Sequence, residues 1–183
     1  MHYDPCQVYQ PEADTYLLLD AALAEVKPGD RVLEVGTGSG LIAAGLAKRA
    51  LILATDINPH AVQSARKAGV EVVRCNMSDA FRGPFDLILF NPPYLPTEPH
   101  ERIDDWLEYA LDGGKTGRET ITQFAVGIGR VLAPGGRILL LVSSLTGPEE
   151  TVRLFEGLGY TVGQIRRERV EDEFLSVLRI RMG

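Results

Sequence analysis

The chain has 183 residues, of which 45% are hydrophobic and 24% are charged, a composition that argues against a disordered or fibrous protein. Its length fits one domain of common size, so we expect a single domain over residues 1–183. The formal net charge of −6 disfavours a free-standing nucleic-acid binder, because phosphate binding draws on clustered lysine and arginine.

Helices and strands alternate through the first half of the chain. In order, the patterns predict a helix over 12–26, a strand over 31–35, a helix over about 39–49, a strand over 51–55, a helix opened by Asn58 and Pro59, and strands over 70–75 and 85–90. Asn58 has the side chain of an N-cap, and Pro59 suits the first helical position. This alternation is typical of parallel strand pairing.

The second half begins with a long loop over 94–118. It continues, in order, with a helix over 119–132 closed by "APGG", a strand over 137–143, a helix over 148–158, and strands over 160–168 and 173–182. The last two strands lack a helix between them, so they are predicted to pair as an antiparallel hairpin. The whole pattern predicts an α/β, Rossmann-like fold with a seven-stranded, mostly parallel sheet and helices on both faces.

Neither a membrane segment nor a metal site is indicated. No apolar run approaches the roughly 18 residues of a membrane span, and the first residues lack a signal-peptide core. The two cysteines, Cys6 and Cys75, have neither zinc-site nor disulfide-framework spacing. We therefore expect a cytoplasmic protein with no metal.

The ligand of such a sheet lies beyond the carboxyl ends of its strands, where this chain places glycines and acids. Gly36, Gly38 and Gly40 follow Glu34 in "EVGTGSG", and Leu41 takes the place of the last glycine of the dinucleotide fingerprint. Glu34 and Asp56 would add two negative charges to the same pocket, which disfavours a phosphate-bearing cofactor. A cofactor with cationic groups and ribose hydroxyls fits better.

The motif "NPPY" follows the fourth strand at its carboxyl end. The side-chain carbonyl of Asn91 and the backbone carbonyl of Pro92 can accept both N–H bonds of one planar NH2 group, since proline brings no competing N–H. Pro93 completes the rigid turn, and Tyr94 can stack on the planar group. An amide or the exocyclic amine of adenine would suit this cradle, whereas a plain turn is the structural alternative.

In this order, "LEVGTGSG", "TDIN" and "NPPY" resemble the class I S-adenosylmethionine methyltransferases. The resemblance implies that S-adenosylmethionine is the methyl donor and that Glu34 and the Gly36–Gly40 loop hold its methionine part. It also implies that Asp56 accepts the ribose hydroxyls, that Asn91 touches the cofactor, and that Asn76 with Met77 contacts the adenine. Asn76 departs from the aspartate that is more usual in the family.

Two further stretches, "VYQPEADTYLLLD" and "LDGGKTGRE", resemble the short archaeal and eukaryotic HemK/PrmC-type release-factor glutamine methyltransferases. That likeness implies N5-methylation of the glutamine of a Gly-Gly-Gln motif in a peptide-chain release factor. It also implies an N-terminal cover segment and helix over 1–28, with Tyr9 and Thr15 against the cofactor, and a substrate-side loop over 94–118. The alternatives are helix packing for Tyr9 and an N-cap for Thr15.

The resemblance also implies a partner, because the separate N-terminal helical domain of bacterial members is not recognisable here. In the short relatives, a small zinc-containing activator subunit docks at the sheet edge formed by the third strand. We expect an exposed apolar edge there from Val70, Val72 and Val73, and hence a heterodimer. A merely short edge strand is the alternative.

Because "NPPY" also occurs in enzymes that act on bases, other functions stay open. An adenine-N6 methyltransferase of RNA or DNA would need a basic rim, but the loop 98–112 is acidic through Glu98, Glu101, Asp104, Asp105, Glu108 and Asp112, against one arginine, Arg102. Such a loop favours a basic protein surface, or is simply solvated. Trp106 is either a lid anchor or a core residue. Protein lysine methylation and a catalytically idle cofactor-binding partner are further alternatives.

Overall fold

A computed structural model describes residues 3–98, 100 and 105–183. The strands are β1 Arg31–Val35, β2 Leu51–Asp56, β3 Val72–Arg74, β4 Phe85–Phe90, β5 Leu132–Ser143, β6 Tyr160–Val170 and β7 Glu173–Met182. The helices are α1 Ala13–Glu25, α2 Leu41–Leu46, α3 Pro59–Lys67, α4 Trp106–Leu111, α5 Glu119–Ile128 and α6 Pro148–Gly157, with 3-10 turns at Pro5–Gln7 and Ser144–Thr146.

The strands form one seven-stranded sheet in the order β3-β2-β1-β4-β5-β7-β6. Pairing is parallel from β3 to β5, whereas β7 is antiparallel to both β5 and β6. The predicted fold class is confirmed, including the C-terminal hairpin. Chain order reverses between β1 and β4, so the carboxyl ends of these two strands flank the crevice in which such sheets bind ligands.

Both faces of the sheet are covered by apolar packing. On one face, Ile121 and Phe124 of α5 and Phe155 of α6 join the same cluster as strand residues such as Ile88. On the other face, Leu18 of α1 and the helix α2 pack over a second cluster. Burial on both faces explains why the central strands are almost continuous apolar runs in the sequence.

Several element boundaries differ from the sequence prediction, and three of the differences affect the description of the fold. Helix α5 ends at Ile128, and "APGG" lies inside β5, where the pairing between β4 and β5 is irregular. The predicted loop 94–118 contains the short helix α4. Strand β3 spans only three residues instead of the predicted 70–75.

The edge position of β3 is as predicted, but its surface is less apolar than expected. Val70 and Val72 are buried, at 6% and 8% exposure, because they pack against Val62 and Ala65 of α3. Val73 is 38% exposed and Ile57 nearby is 41% exposed. The predicted edge of three valines is therefore corrected to one valine, Val73, and Ile57 from the turn after β2.

A buried ion cluster joins several elements at the opposite end of the sheet. Arg137 of β5 has a side chain only 4% exposed and binds Asp30 at 2.7 Å and Glu25 at 3.4 Å. Glu25 also pairs with Arg179 of β7 at 2.9 Å. Within the described ranges, no helix has the length and apolar character needed to cross a membrane.

Candidate active site

A cavity of about 1010 Å³ opens at the carboxyl ends of β1, β2 and β4. Its walls also include the N-terminal segment before α1 and the helix α4. The predicted site residues that line it are Tyr9, Thr15, Glu34, Gly36, Gly38, Asp56, Asn76, Met77, Asn91, Pro92, Pro93 and Tyr94. The structure thus brings together residues from both ends of the "LEVGTGSG" to "NPPY" stretch.

The glycines of the first turn have different surroundings. A Cβ on Gly36 or Gly38 would meet nothing closer than 3.5 Å, so the backbone of both residues is open to close approach from the cavity. Gly40 does not line the cavity; a Cβ there would lie 2.8 Å from the Cα of Ala65 in α3. Gly40 therefore permits close packing of the turn on α3 and does not border the ligand space.

The side chain of Glu34 is buried and stabilises this turn through hydrogen bonds. Its Oε2 accepts a hydrogen bond from the Thr37 hydroxyl at 2.7 Å and another from the Ala43 backbone N–H at 3.0 Å. Burial raises the pKa of Glu34 to about 8, although these two donors oppose the shift. The described contacts of Glu34 shape the turn, and its predicted contact with the methionine part stays a prediction.

Asp56 ends β2 with its carboxylate in the cavity wall. Oδ2 accepts from the Gly38 N–H and Oδ1 from the Asn58 N–H, each at 2.9 Å. Burial raises the pKa of Asp56, while its backbone N–H donors lower it. A carboxylate has about four lone-pair sites, so beside its three backbone donors, Gly38, Asn58 and Ile57, this side chain can still accept a hydrogen bond from a ligand hydroxyl.

Asn76 and Met77 follow β3 at the far end of the cavity. Asn76 is exposed, and Met77 is half-buried against the α5 side of the core. Met77 has φ of +46°, a left-handed conformation that is uncommon for a non-glycine residue and is found more often at functional sites. Their predicted contact with adenine is compatible with this position.

Asn91 is held in one orientation by a residue that the sequence interpretation did not single out. Its Nδ2 donates to Oδ2 of the buried Asp14 at 3.0 Å. Its Oδ1 is buried and has no hydrogen-bond partner among the described residues, which costs free energy unless a ligand supplies a donor. The only sequence signal for Asp14 was its place beside Thr15 in "EADT".

Asp14 also collects hydrogen bonds from the segment around it. Its Oδ2 accepts from the Tyr9 hydroxyl at 3.0 Å, and its Oδ1 accepts from the Thr15 backbone N–H and hydroxyl. Glu12, not Thr15, is the N-cap residue of α1, so the N-cap alternative for Thr15 is wrong. Burial raises the pKa of the Tyr9 phenol above its ordinary range, and the charge of Asp14 raises it further.

The second diagnostic stretch packs directly on "NPPY". A Cβ on Gly117 would lie 2.5 Å from the Tyr94 carbonyl oxygen, so only glycine fits there. Leu95 exchanges backbone hydrogen bonds with Leu111 and Gly113. Gly117 therefore lets the "LDGGKTGRE" loop pack against the backbone of Tyr94.

The cavity is lined by acids. Its described lining contains no lysine, arginine or histidine, and its acidic residues are Glu12, Asp14, Glu34, Asp56, Glu108, Asp112, Glu119 and Glu173. Burial raises the pKa of Tyr94 as well, and the charges of Asp14 and Glu173 add to that effect. Glu34 is mostly protonated at neutral pH because its pKa is about 8, and the remaining carboxylates make this lining repel phosphates and attract cations.

The acidic loop is partly a structural feature. Asp105 caps α4 by accepting from the Glu108 N–H, and Asp112 accepts from the Gly114 N–H. Trp106 is half-buried in the cavity wall, and its backbone N–H donates to Oε1 of Gln7. Glu101, Arg102 and Asp104 lie outside the described residues.

S-adenosylmethionine fits the residues of this cavity. It carries a sulfonium and an ammonium group, which suit acidic walls without bases, and two ribose hydroxyls, which suit the carboxylate of Asp56. The open backbone at Gly36 and Gly38 leaves room for the close approach of a ligand. Asn91 lines the cavity, and its buried carbonyl oxygen has no hydrogen-bond partner among the described residues.

Comparison with known proteins agrees with the cavity. The family model "Methyltransferase small domain" matches residues 11–104. The putative protein N5-glutamine methyltransferase of Methanocaldococcus jannaschii is 41% identical over 180 residues, which cover 94% of this chain and 90% of that protein. Methyltransferase HEMK2 of Homo sapiens is 35% identical over 193 residues, which cover 94% of this chain and 88% of that protein.

A solved structure is similar over the same extent. It is the E. cuniculi Mtq2–Trm112 complex, responsible for methylation of the translation termination factor eRF1; the similar chain has a TM-score of 0.81 and 30% identity, with coverage of 97% of this chain and 99% of that one. The chain therefore belongs to the HemK/PrmC family of S-adenosylmethionine-dependent protein-glutamine N-methyltransferases.

Proposed function

We propose that this enzyme transfers a methyl group from S-adenosylmethionine to the side-chain nitrogen of the glutamine in the Gly-Gly-Gln motif of a peptide-chain release factor, in the cytoplasm. The observation that carries the proposal is the state of Asn91. Its NH2 group is bound to Asp14, so its carbonyl oxygen, which has no partner among the described residues, is the group left to accept a hydrogen bond from a ligand in the cavity that Asn91 lines. A site that offers an acceptor selects a substrate that brings an N–H donor.

The residues of "NPPY" would hold the glutamine amide by its two N–H bonds. Asn91 Oδ1 accepts one N–H and the Pro92 carbonyl accepts the other, while the Tyr94 ring lies against the amide plane. Orientation of a poor nucleophile supplies a large part of catalysis in such a reaction. When bound, the cofactor supplies an electrophilic methyl group on a sulfonium. The amide nitrogen would form the new C–N bond as the bond from the methyl carbon to sulfur breaks, which leaves S-adenosylhomocysteine, and the nitrogen would release one N–H proton to water.

Asp14 would contribute through its charge. Positive charge develops on the amide nitrogen during transfer, and the carboxylate lies directly behind Asn91. A fixed negative charge in a buried site stabilises such a transition state more strongly than it would in water. The Tyr9 and Tyr94 phenols hold their protons, because burial and Asp14 both raise their pKa values.

The lining acids disfavour the nucleic-acid alternative. An adenine in RNA or DNA brings its phosphates to the mouth of the cavity, where the described lining offers Glu108 and Asp112 and no base. A basic protein loop would be attracted there instead. This charge pattern supports a protein substrate such as a release factor.

A methyl-transfer assay tests the substrate. Labelled S-adenosylmethionine is offered with a release factor, its Gln→Ala variant at the Gly-Gly-Gln motif, a lysine-rich peptide, total RNA and DNA. We expect label in the release factor and none in the variant. Label in RNA or DNA alone, or undiminished label in the Gln→Ala variant, would contradict the proposal.

We further propose that a small zinc-containing subunit binds the β3 edge. The similar E. cuniculi protein was determined in complex with Trm112. In this chain, β3 is an edge strand with Val73 and Ile57 exposed beside it, which favours pairing by strand addition.

Pull-down of such a subunit tests the interface. Val73→Glu should abolish binding, whereas Val126→Glu on α5, where Val126 is 74% exposed, should leave it intact. Removal of zinc from the subunit by a chelator should also release it. Equal binding by both variants would place the interface elsewhere.

A further inference from the structure

The segment before α1, residues 3–12 and here termed the cover segment, contacts both halves of the cavity. The Gln7 carbonyl accepts from Nδ2 of Asn58 at 2.7 Å, two residues beyond Asp56. Its side-chain Oε1 accepts from the backbone N–H of Trp106 at 2.9 Å, on the loop side. The cover segment thus links the side of the cavity that carries Asn58 and Asp56 to the side that carries Trp106 and α4.

Tyr9 extends this bridge to the reacting end of the cavity. Its hydroxyl lies 3.0 Å from Oδ2 of Asp14, and the same oxygen accepts from Nδ2 of Asn91. Glu12 lies farther from the hydroxyl, at 3.4 Å, so the single phenolic proton is directed to Asp14. A continuous chain of hydrogen bonds therefore runs from the cover segment to the amide of "NPPY".

We propose that Tyr9 is a positioning residue for methyl transfer: its hydroxyl fixes Asp14, and Asp14 fixes the Asn91 amide with its carbonyl oxygen toward the substrate. This inference rests on the proposed function of Asn91. It assigns to Tyr9 a role separate from the contact of its ring with the cofactor. The packing of the cover segment over the cavity then also fixes the orientation of the Asn91 carbonyl oxygen.

Tyr9 and Asn91 both act as donors to Oδ2 of Asp14, and their chemistry keeps both hydrogen bonds in that direction. A phenol whose pKa is raised stays a donor throughout the neutral range, and a carboxylate accepts from two donors at once. Asn91 can satisfy Asp14 only with its NH2 group, and this choice leaves Oδ1 free. Loss of the Tyr9 donor removes one of the two restraints on Oδ2.

Three variants separate the hydroxyl from the ring. In Tyr9→Phe, kcat on the release factor should fall about tenfold, while the dissociation constant of S-adenosylhomocysteine measured by calorimetry changes by less than about twofold. In Tyr9→Leu, cofactor affinity should fall as well. Tyr16→Phe, which removes a hydroxyl from an exposed tyrosine of α1, should change neither quantity.

A spectroscopic test needs no catalysis. The chain contains three asparagines, Asn58, Asn76 and Asn91, so selective ¹⁵N-asparagine labelling gives three side-chain NH2 pairs, and Asn91→Ala identifies one of them. In the cofactor-free chain, Tyr9→Phe should shift the Asn91 pair, and Tyr16→Phe should shift none. An unmoved Asn91 pair would overturn the proposal.

A mutant cycle completes the test. Tyr9→Phe combined with Asp14→Asn should be no slower than Asp14→Asn alone, because both act through one chain. Additive losses, or a Tyr9→Phe kcat within about twofold of the parent, would overturn the positioning role. If the parent enzyme labels no glutamine at all, the proposed function fails, and the NMR result still decides the hydrogen-bond chain.

Discussion

Replacement of Asp14 by asparagine changes one oxygen into an NH2 group and should reverse the orientation of Asn91. Asp14 Oδ1 accepts both the N–H and the hydroxyl of Thr15, so the carbonyl of the new side chain must stay at that position. Its NH2 group then occupies the position of Oδ2 and faces Nδ2 of Asn91. Two NH2 groups cannot bond, so the Asn91 amide turns over and presents a donor to the substrate.

The magnitude follows from the bonds exchanged. Return of Oδ1 to the substrate side would mean the loss of one hydrogen bond and the burial of an unpaired donor, about 1.5–3 kcal/mol. In Asp14→Asn, kcat/KM for release-factor methylation should therefore fall about tenfold to hundredfold. Asp20→Asn, on the exposed face of the same helix, is the matched control and should stay near the parent value.

The assay is steady-state methyl transfer to the release factor, with cofactor binding measured in parallel by calorimetry. The expected loss lies in kcat, because the cofactor wall at Asp56 and Gly38 is unchanged. A variant with kcat/KM within about twofold of the parent would refute the reasoning. So would a loss explained entirely by weaker cofactor binding.

Three further perturbations test the fold that supports the site. Between pH 4.5 and about 8, Glu34 is protonated in the folded cofactor-free chain and ionised in the unfolded chain. The free energy of unfolding should therefore fall as the pH rises across that window, by up to about 1.4 kcal/mol per pH unit. Urea titrations of Glu34→Gln should lack this pH-dependent component. Arg137→Met leaves Asp30 and Glu25 without their buried partner and should lower the free energy of unfolding in urea by about 3–5 kcal/mol. Gly117→Ala places a Cβ against the Tyr94 carbonyl and should reduce kcat without loss of cofactor binding, whereas Gly163→Ala, which meets nothing within 4 Å, should not.

Most strands could be predicted because strands buried on both faces of the sheet are runs of apolar residues in the sequence. β1 and β4 have the predicted bounds. Each is an apolar run that is buried on both faces of the sheet, and the glycine or proline that follows it marks where the strand ends. The segment "APGG" was wrongly predicted to close a helix, because glycine and proline usually occur in turns. Here Gly136 lies against the Ala133 carbonyl within an irregular strand pairing, and that contact depends on the neighbouring strand.

The convergence of Asp56 with Asn91 was also predictable, because β2 and β4 are parallel strands on either side of β1 and their carboxyl ends lie at one edge of the sheet. Asp14 was not predictable by this route. Its bond to Asn91 joins residues 77 positions apart and requires α1 to pass over the end of β4. The packing role of Gly40 against α3 is likewise a tertiary contact that its place in a glycine motif conceals.

A crystal structure of the enzyme with S-adenosylhomocysteine and a peptide containing Gly-Gly-Gln would examine the acceptor cradle directly. We expect the glutamine side-chain nitrogen within about 2.7–3.2 Å of both Asn91 Oδ1 and the Pro92 carbonyl oxygen, with Asn91 Nδ2 still bound to Asp14. A glutamine bound elsewhere, or an Asn91 amide that directs its NH2 group at the peptide, would contradict the proposed recognition of the substrate.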